Sequence, residues 1–368
     1  MHEFDAANLA LPGIRNLSPY QAGKPIEELE RELGIKDIVK LASNENPLGV
    51  SEKVREALIN KVEALARYPD ANGFYLKSAI SEKFGIDTNQ ITLGNGSNDV
   101  LELLARTYVT SEHEVIFSQH AFVVYPLVTQ AIGATPVKVP AKDYGHDLDA
   151  MKAAVTDKTR MIFIANPNNP TGTFLSSEEI EGFIKDIPQH VLVVLDEAYY
   201  EYVPEQERAP SFSWIKKYPN LVVSRTFSKA YGLAGIRAGF AVSHPSVADL
   251  MNRIRQPFNM NELALTAALA ALQDDDFLAK SVEVNARGMK QLIAFCEEVN
   301  LSYIPSHGNF ITIEFGPQSA EIYDKLLHLG VIVRPVAGYE LPNHLRVSIG
   351  TKEENEAFIK AFSQILNG

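Results

Sequence analysis

The amino-acid sequence predicts an α/β fold, a largely parallel sheet covered by helices on both faces, with a smaller α+β unit attached. Three observations carry that prediction. From residue 91 to residue 224 short apolar runs alternate with amphipathic stretches at helical spacing, the alternation that builds a parallel sheet between helices. Two of those runs, 191–195 (VLVVL) and 221–224 (LVVS), are apolar at consecutive positions, as in strands buried on both sides. In the final third, long amphipathic stretches and short strands take over, which marks a second unit.

Composition bounds what such a protein does. With 368 residues and 46% hydrophobic side chains the chain builds a sizeable core. A net charge of −12 argues against broad affinity for nucleic acid or an anionic membrane, since both depend on excess Lys and Arg. Cys296 is the single cysteine, so neither an intramolecular disulfide nor a thiolate metal cluster can form, and a reducing cytoplasm fits. The first residues, MHEFDAANLALPG, lack the basic-then-apolar pattern of a secretory leader. No apolar run is long enough to span a bilayer. His113 and Glu114 begin an HExxH-like pattern that Phe117 breaks, so no metal is expected.

Residues 13–50 are rich in Pro, Gly and Asn and read as an extended arm with loops. Val54, Leu58, Val62 and Leu65 share one helical face, predicting a helix from Ser51 that runs into RYPD and stops at Pro69. A second helix is expected near 76–84. Strand 91–93 then enters GNGSND. Glycines there let the backbone approach a ligand, and the amides of Gly96, Ser97 and Asn98 open a helix, which suits an anion. A tight strand-to-helix turn satisfies the same residues. Asp99 stands where a dinucleotide fingerprint has its third glycine.

Strands 114–117, 135–139 and 161–165 follow, with helices from about 123 and 148 between them. Strand 161–165 ends in NPNNPTGT, after which Ser176 and Glu179 have capping-box spacing. Strand 191–195 ends in Asp196. Strand 221–224 delivers TFSKAYGLAGIRAGF (226–240), with Lys229 among small residues and Arg237 eight positions on. Ligands in such sheets sit at the carboxyl ends of the strands. Four strand ends here bring an anion-binding turn, an asparagine, an aspartate and a lysine to one edge. A lysine in a Gly-rich loop is ordinarily a solvated charge and a strand-terminal Asp ordinarily a cap. Their convergence makes Lys229 a Schiff-base candidate beside an anion site. Farther on, helices are expected over 262–272 and 281–299, and strands near 302, 310–314, 331–333 and 345–348. A Thr351/Glu354 capping box opens a C-terminal helix with Phe358, Ala361, Phe362, Ile365 and Leu366 on its apolar positions.

Taken in order, GNGSND, NPNNPTGT, VVLDEAYY and TFSKAYGLAGIRAGF resemble the site of the fold-type I enzymes that use pyridoxal 5′-phosphate, the aspartate aminotransferase superfamily. The resemblance spans nearly the whole chain. It implies a mostly parallel seven-stranded sheet in a large cofactor-binding domain over 46–280, with a small α+β domain formed by residues 281–368 together with part of an N-terminal arm over 1–45. It implies that Lys229 carries the cofactor and shuttles the proton, that Asp196 pairs with the ring nitrogen, and that Asn169 and Tyr199 hydrogen-bond the ring oxygen. Gly96, Ser97, Asn98, Thr226, Ser228 and Arg237 match the groups that hold the cofactor phosphate. Phe122 matches the aromatic that stacks on the ring, with core packing as its other reading. Tyr68, in RYPD, resembles a tyrosine lent to the neighbouring subunit's cofactor phosphate, which implies a homodimer with shared sites.

NLSPYQAGKP, LASNENPLG, RYPD and GVIVRPVAGYELPNHLRVSIGT narrow the resemblance to the histidinol-phosphate aminotransferases. The activity implied is amino transfer between L-histidinol phosphate and 2-oxoglutarate, giving imidazole-acetol phosphate and L-glutamate, in histidine biosynthesis. By this resemblance Arg346 grips the substrate anion, Arg334 and Tyr20 match positions associated with the substrate phosphate, and Asn44 lines the pocket. A domain-interface ion pair is the other reading of Arg334. Aromatic amino acid aminotransferases and threonine-phosphate decarboxylases have similar sequences and stay open as alternatives. A cofactor-binding regulator would need a basic DNA-reading module, which the acidic chain does not offer.

Overall fold

The computed structural model describes residues 4–15, 17–19 and 23–367. A two-residue strand, β1 (Val39–Lys40), precedes the main sheet, which contains β2 (Ile91–Gly94), β3 (Glu114–Ser118), β4 (Thr135–Val139), β5 (Thr159–Ala165), β6 (Leu192–Asp196), β7 (Leu221–Thr226) and β8 (Gly239–Ser243). Its order is β2-β8-β7-β6-β5-β3-β4, parallel except for β8, which runs antiparallel to both neighbours. The seven strands and their mostly parallel pairing match the fold the sequence predicts. A second, antiparallel sheet starts with β9 (Tyr303–Ile304) and β10 (Phe310–Glu314). β11 (Val331–Ile332) turns aside to pair with β1, and β12 (Arg334–Pro335) and β13 (His344–Ser348) complete the second sheet in the order β12-β13-β10-β9.

Burial on both faces explains the unbroken apolar runs. Ile162, Ile164, Val193, Leu195 and Val223 enter one core, whereas Met161, Phe163, Val194 and Val222 enter the core on the opposite face. Each such side chain contributes about 1.5–3 kcal/mol relative to exposure. A third core holds Leu292, Phe295, Ile311, Val347, Phe358 and Phe362. The helix Asp275–Glu298 joins the two regions. Near its start Ser281 accepts a hydrogen bond from Asn46 Nδ2 at 2.8 Å, and near its end Phe295 sits in the third core. Both capping boxes form: Ser176 with Glu179 and Thr351 with Glu354 each exchange bonds of 2.8 and 3.2 Å.

The structure departs from the sequence reading in several places: the helix expected over 281–299 begins at Asp275, and the strand expected over 331–333 is split between β11 and β12. The helix after Ser51 covers only Glu52–Ile59 and is followed by a 3₁₀ turn, Val62–Ala66. Val62 and Leu65 are 57% and 49% exposed, so the apolar stripe leaves the core and emerges on the surface. The arm contains a helix, Ile26–Leu33, which buries Leu29 against Ala42, Leu327 and Ile332; the Pro25 and Gly34 that signal a loop stand just outside it. Finally, the end of the Lys229 segment returns as β8. It fits there because Gly239 has no side chain: a Cβ would lie 2.4 Å from the Ser97 amide nitrogen.

Candidate active site

Register brings the strand ends together. Ala165 lies opposite Asp196, Asp196 opposite Ser224, and Gly239 beside both Thr226 and Gly94. The residues just beyond these ends line a cavity of about 210 Å³ whose far wall comes from the second sheet. Asn44, Ser97, Asn98, Phe122, Asn169, Asp196 and Tyr199 face it, as do Thr226, Ser228, Lys229, Arg237, Arg334 and Arg346. A larger groove of about 840 Å³ between residues 142–149 and 303–307 contains none of them.

Lys229 follows β7 in a loop folded tightly on itself, with Phe227 N donating to Ala238 O at 3.0 Å and Gly232 N to Lys229 O at 3.0 Å. Its Nζ donates to Ser43 O at 3.1 Å. Burial pushes the ammonium down to about 7, with added repulsion from Arg346 and Arg237 and partial relief from Glu45. A substantial fraction of this amine is therefore neutral near neutral pH, as a nucleophile or base requires.

Asp196 ends β6 in full burial. Its carboxyl is raised to about 6, chiefly by desolvation, with Tyr125 opposing the shift and neighbouring Glu197 reinforcing it. The Tyr125 hydroxyl donates to Oδ2 at 2.8 Å, and the Tyr125 ring stacks on Phe163 at 4.5 Å. Oδ1 is buried and has no hydrogen-bond partner among the described residues. Glu197 turns the other way, into a buried cluster behind the site. There Arg225 Nε donates to it at 2.7 Å, Ser211 Oγ donates at 2.9 Å, and the Arg225 guanidinium lies 3.3 Å from the centre of the Tyr200 ring. Neither Tyr125 nor the Arg225–Glu197 pair was among the residues singled out in the sequence. Tyr125 carries a weak signal there, as the first-turn residue three positions after Phe122.

Tyr199, Asn169 and Asn44 form one network. The Tyr199 hydroxyl accepts from Asn44 Nδ2 at 2.9 Å and from Asn169 Nδ2 at 3.2 Å, and burial raises the phenol to about 12. Asn169 Oδ1 accepts from Arg346 Nη1, while Arg346 Nη2 donates to Ala42 O at 2.8 Å. Arg346 is also the direct cross-strand partner of Arg334. Like charges opposite each other destabilise a sheet, so two arginines here make a concentrated site for anions.

The opposite wall suits a second anion. The helix Ser97–Tyr108 begins at the turn, and Gly96 at φ +86 lets the Arg237 guanidinium lie against it; a Cβ there would sit 2.4 Å from Nη2. Arg237 Nη1 donates to Ser228 Oγ at 3.3 Å and Ala234 O at 2.9 Å, and Ser228 N donates to Thr226 Oγ1 at 3.1 Å. Helix amides, two hydroxyls and a guanidinium form a cradle for a dianion. With the unpartnered Asp196 Oδ1 ready to accept from an N–H, this donor and acceptor set fits pyridoxal 5′-phosphate. Phe122 stands at the wall, edge-on to Tyr125 at 5.8 Å. Tyr68 lies outside the cavity, 82% exposed, and Tyr20 lies outside the described residues.

Tyr125→Phe isolates one of these contacts. Its expected effect is about a tenfold loss of cofactor affinity, because a buried carboxylate loses a hydrogen bond worth about 1.5 kcal/mol or more. Titration of the cofactor-free protein with pyridoxal 5′-phosphate measures it, and wild-type affinity would show that the bond does not matter.

Residues 36–362 match the sequence model of the family described as aminotransferase class I and II. Histidinol-phosphate aminotransferase 1 of Idiomarina loihiensis is 70% identical over 365 residues, 99% of this chain and 100% of that protein. Histidinol-phosphate aminotransferase 2 of Haemophilus influenzae is 60% identical over 359 residues, 98% of each. The crystal structure of histidinol-phosphate aminotransferase from Sinorhizobium meliloti in complex with pyridoxal-5′-phosphate superposes with a TM-score of 0.90 at 29% identity, covering 97% of each chain. The chain belongs to the class I and II aminotransferase family.

Proposed function

We propose that the protein is a pyridoxal 5′-phosphate-dependent transferase that moves the amino group of L-histidinol phosphate to 2-oxoglutarate, giving imidazole-acetol phosphate and L-glutamate, in histidine biosynthesis. The observation that carries the substrate choice is the opposed pair Arg334 and Arg346 in one wall of the cavity. A pair of guanidinium groups suits substrates that bring a phosphate ester in one half-reaction and carboxylates in the other. The full-length identity to histidinol-phosphate aminotransferases supports the same substrate.

When bound, the cofactor supplies a conjugated ring that accepts the electrons left when the substrate loses its proton at the amino-bearing carbon. Lys229 Nζ, whose burial favours the neutral amine, accepts that proton. Asp196 Oδ1 keeps the ring nitrogen protonated, and Tyr125 holds the carboxylate in place through Oδ2. Asn169 and Tyr199 would hold the ring through its oxygen, and Phe122 would pack against it. The amides of Gly96, Ser97 and Asn98, the hydroxyls of Thr226 and Ser228, and Arg237 hold the phosphate. Arg346 binds the carboxylate of glutamate and also serves the anion of histidinol phosphate. Arg334 and Tyr20 add to the grip on the substrate phosphate, and Asn44 shapes the pocket.

The reading includes a homodimer in which Tyr68 serves the partner's site. In its support, Ile59, Val62, Tyr68, Phe74 and Tyr75 are all at least half exposed within one short stretch of chain, an apolar surface that suits a second copy. It also includes a division into an arm (1–45), a large unit (46–280) and a small unit (281–368), and a cytoplasmic location. The single cysteine is buried and free, as suits a reducing compartment.

Steady-state rates with histidinol phosphate, phenylalanine and threonine phosphate test the substrate. The expected kcat/KM is highest for histidinol phosphate, and a higher value for phenylalanine would overturn the choice. Arg346→Ala is expected to raise KM for both glutamate and histidinol phosphate by roughly tenfold or more, the loss of a charge-assisted contact. An effect on one substrate alone would refute dual use.

A further inference from the structure

One segment takes no part in the chemistry above yet stands between the cofactor-phosphate turn and the loop that bears Tyr68. Asn259 Nδ2 donates to Asp99 Oδ2 at 2.8 Å and to Leu93 O at 3.1 Å. The same Asp99 oxygen accepts from Asn95 N at 2.8 Å, so Asn259 holds the turn through the carboxylate that shapes it. On its other side Asn259 Oδ1 accepts from Arg255 Nη1 at 2.6 Å, and Arg255 Nη2 donates to Ala71 O at 2.8 Å.

Ala71 belongs to the loop that follows Tyr68. That loop is rigidly built: Asp70 accepts from the amides of Asn72 at 2.9 Å and Phe74 at 2.7 Å. Gly73 packs so closely on β2 that a Cβ would lie 2.3 Å from Leu93 Cδ1. Phe258, adjacent to Asn259, has φ +58, a left-handed conformation that a bulky residue keeps only where its surroundings over-determine it. Its ring stacks on Tyr68 with centroids 4.5 Å apart and planes 22° apart. A continuous chain of contacts therefore runs from the turn through Asp99 and Asn259 to both the backbone and the ring of the Tyr68 loop.

We infer that Phe258 and Asn259 are positioning residues that tie the cofactor-phosphate turn of one subunit to the tyrosine this subunit lends to its partner. The inference rests on the reading of Tyr68 as shared across a dimer. A phosphate seated on the turn orders Asn95 and Asp99, these hold Asn259, and Asn259 and Phe258 fix the plane of the Tyr68 ring in the neighbouring site. Filling one site strengthens cofactor retention at the other, and the coupling is reciprocal.

Mixed dimers test this. One subunit carries Lys229→Ala and cannot link the cofactor, so borohydride traps pyridoxal 5′-phosphate only on Lys229 of the other, whose residues are all wild type. Asn259→Ala is then added to the Lys229→Ala subunit alone, and trapping is followed against cofactor concentration. The expected result is a half-saturation raised about five- to tenfold at the unaltered site. A residue that merely stabilised its own subunit would leave that site unchanged, and an unchanged value overturns the inference. Phe258→Ala, which removes only the exposed ring stack, is expected to act in the same direction, with Phe258→Tyr restoring the wild-type value; it keeps the test decisive if Asn259→Ala folds poorly. Tyr68→Phe in the same position is the control. If it too leaves the partner unaffected, or if the protein sediments as a monomer, the shared-tyrosine reading falls and takes the inference with it. An effect of Tyr68→Phe with none from Asn259→Ala or Phe258→Ala overturns the inference alone.

Discussion

Lys229→Ala is expected to lose about 10⁴-fold in kcat, the upper range for removing a positioned acid–base group, and still to bind pyridoxal 5′-phosphate. Among the described hydrogen bonds, none joins the lysine to the phosphate cradle, Asp196, Asn169 or Tyr199; its Nζ donates to Ser43 O. Turnover measured beside equilibrium binding of the cofactor separates the two properties, and near-normal turnover would remove Lys229 from its role. The wild type adds a pH signature. Because burial pushes the amine down to about 7, the rate at which the cofactor-free protein captures pyridoxal 5′-phosphate should rise through that pH and level off above it. An amine at the ordinary 10.5 would still be gaining reactivity well above pH 9. The stability of the cofactor-free protein carries the same information. Between about 7 and 10.5 the unfolded chain binds a proton at Lys229 that the folded chain does not, so this group makes stability rise with pH across that window. Lys229→Ala should flatten the rise in a pH series of thermal melts.

Asp196→Ala should damage affinity and rate together. A buried carboxylate interacts strongly with a cation, and burial is the main cause of its carboxyl standing at about 6. Loss of one such preorganised partner costs about 10²–10³-fold in kcat. The same substitution leaves the buried Tyr125 hydroxyl without its acceptor, which lowers stability by about 1–3 kcal/mol. Asp196→Asn separates the two effects. The amide keeps the volume and an acceptor for Tyr125, so the melting temperature should stay near the wild type while kcat falls. Full activity in Asp196→Asn would show that shape, not charge, is what the site requires.

The sheet and the row of strand-end residues were legible because they are properties of the chain taken locally. A run such as VLVVL is apolar at every position only where both faces are covered, and the residue after it is placed by the strand itself. The capping boxes at Ser176 and Thr351 are equally local. What stayed hidden depends on tertiary neighbours. Periodicity does not separate a stripe that enters the core from one on the surface, so Val62 and Leu65 looked like continuations of a buried face. Tyr125 reads as one more apolar position, since its partner Asp196 lies 71 residues away. The opposition of Arg334 and Arg346 is a matter of register, which appears only when β12 and β13 pair. The return of β8 depends on Gly239 fitting against Ser97, a contact between distant segments.

The two sheets divide the work unequally. Lys229, Asp196 and Asn169 hang from the seven-stranded sheet, while both arginines of the anion site stand on the four-stranded one. Under the proposed function, the chemistry and the choice of molecule belong to separate pieces of scaffold, joined among other contacts by the hydrogen bond between Asn169 and Arg346. An engineer wishing to retarget the protein has a corresponding division of labour available. Arg334 and its strand can be exchanged to admit a different side chain, Arg346 must stay to register whatever enters, and the reacting groups need not be touched.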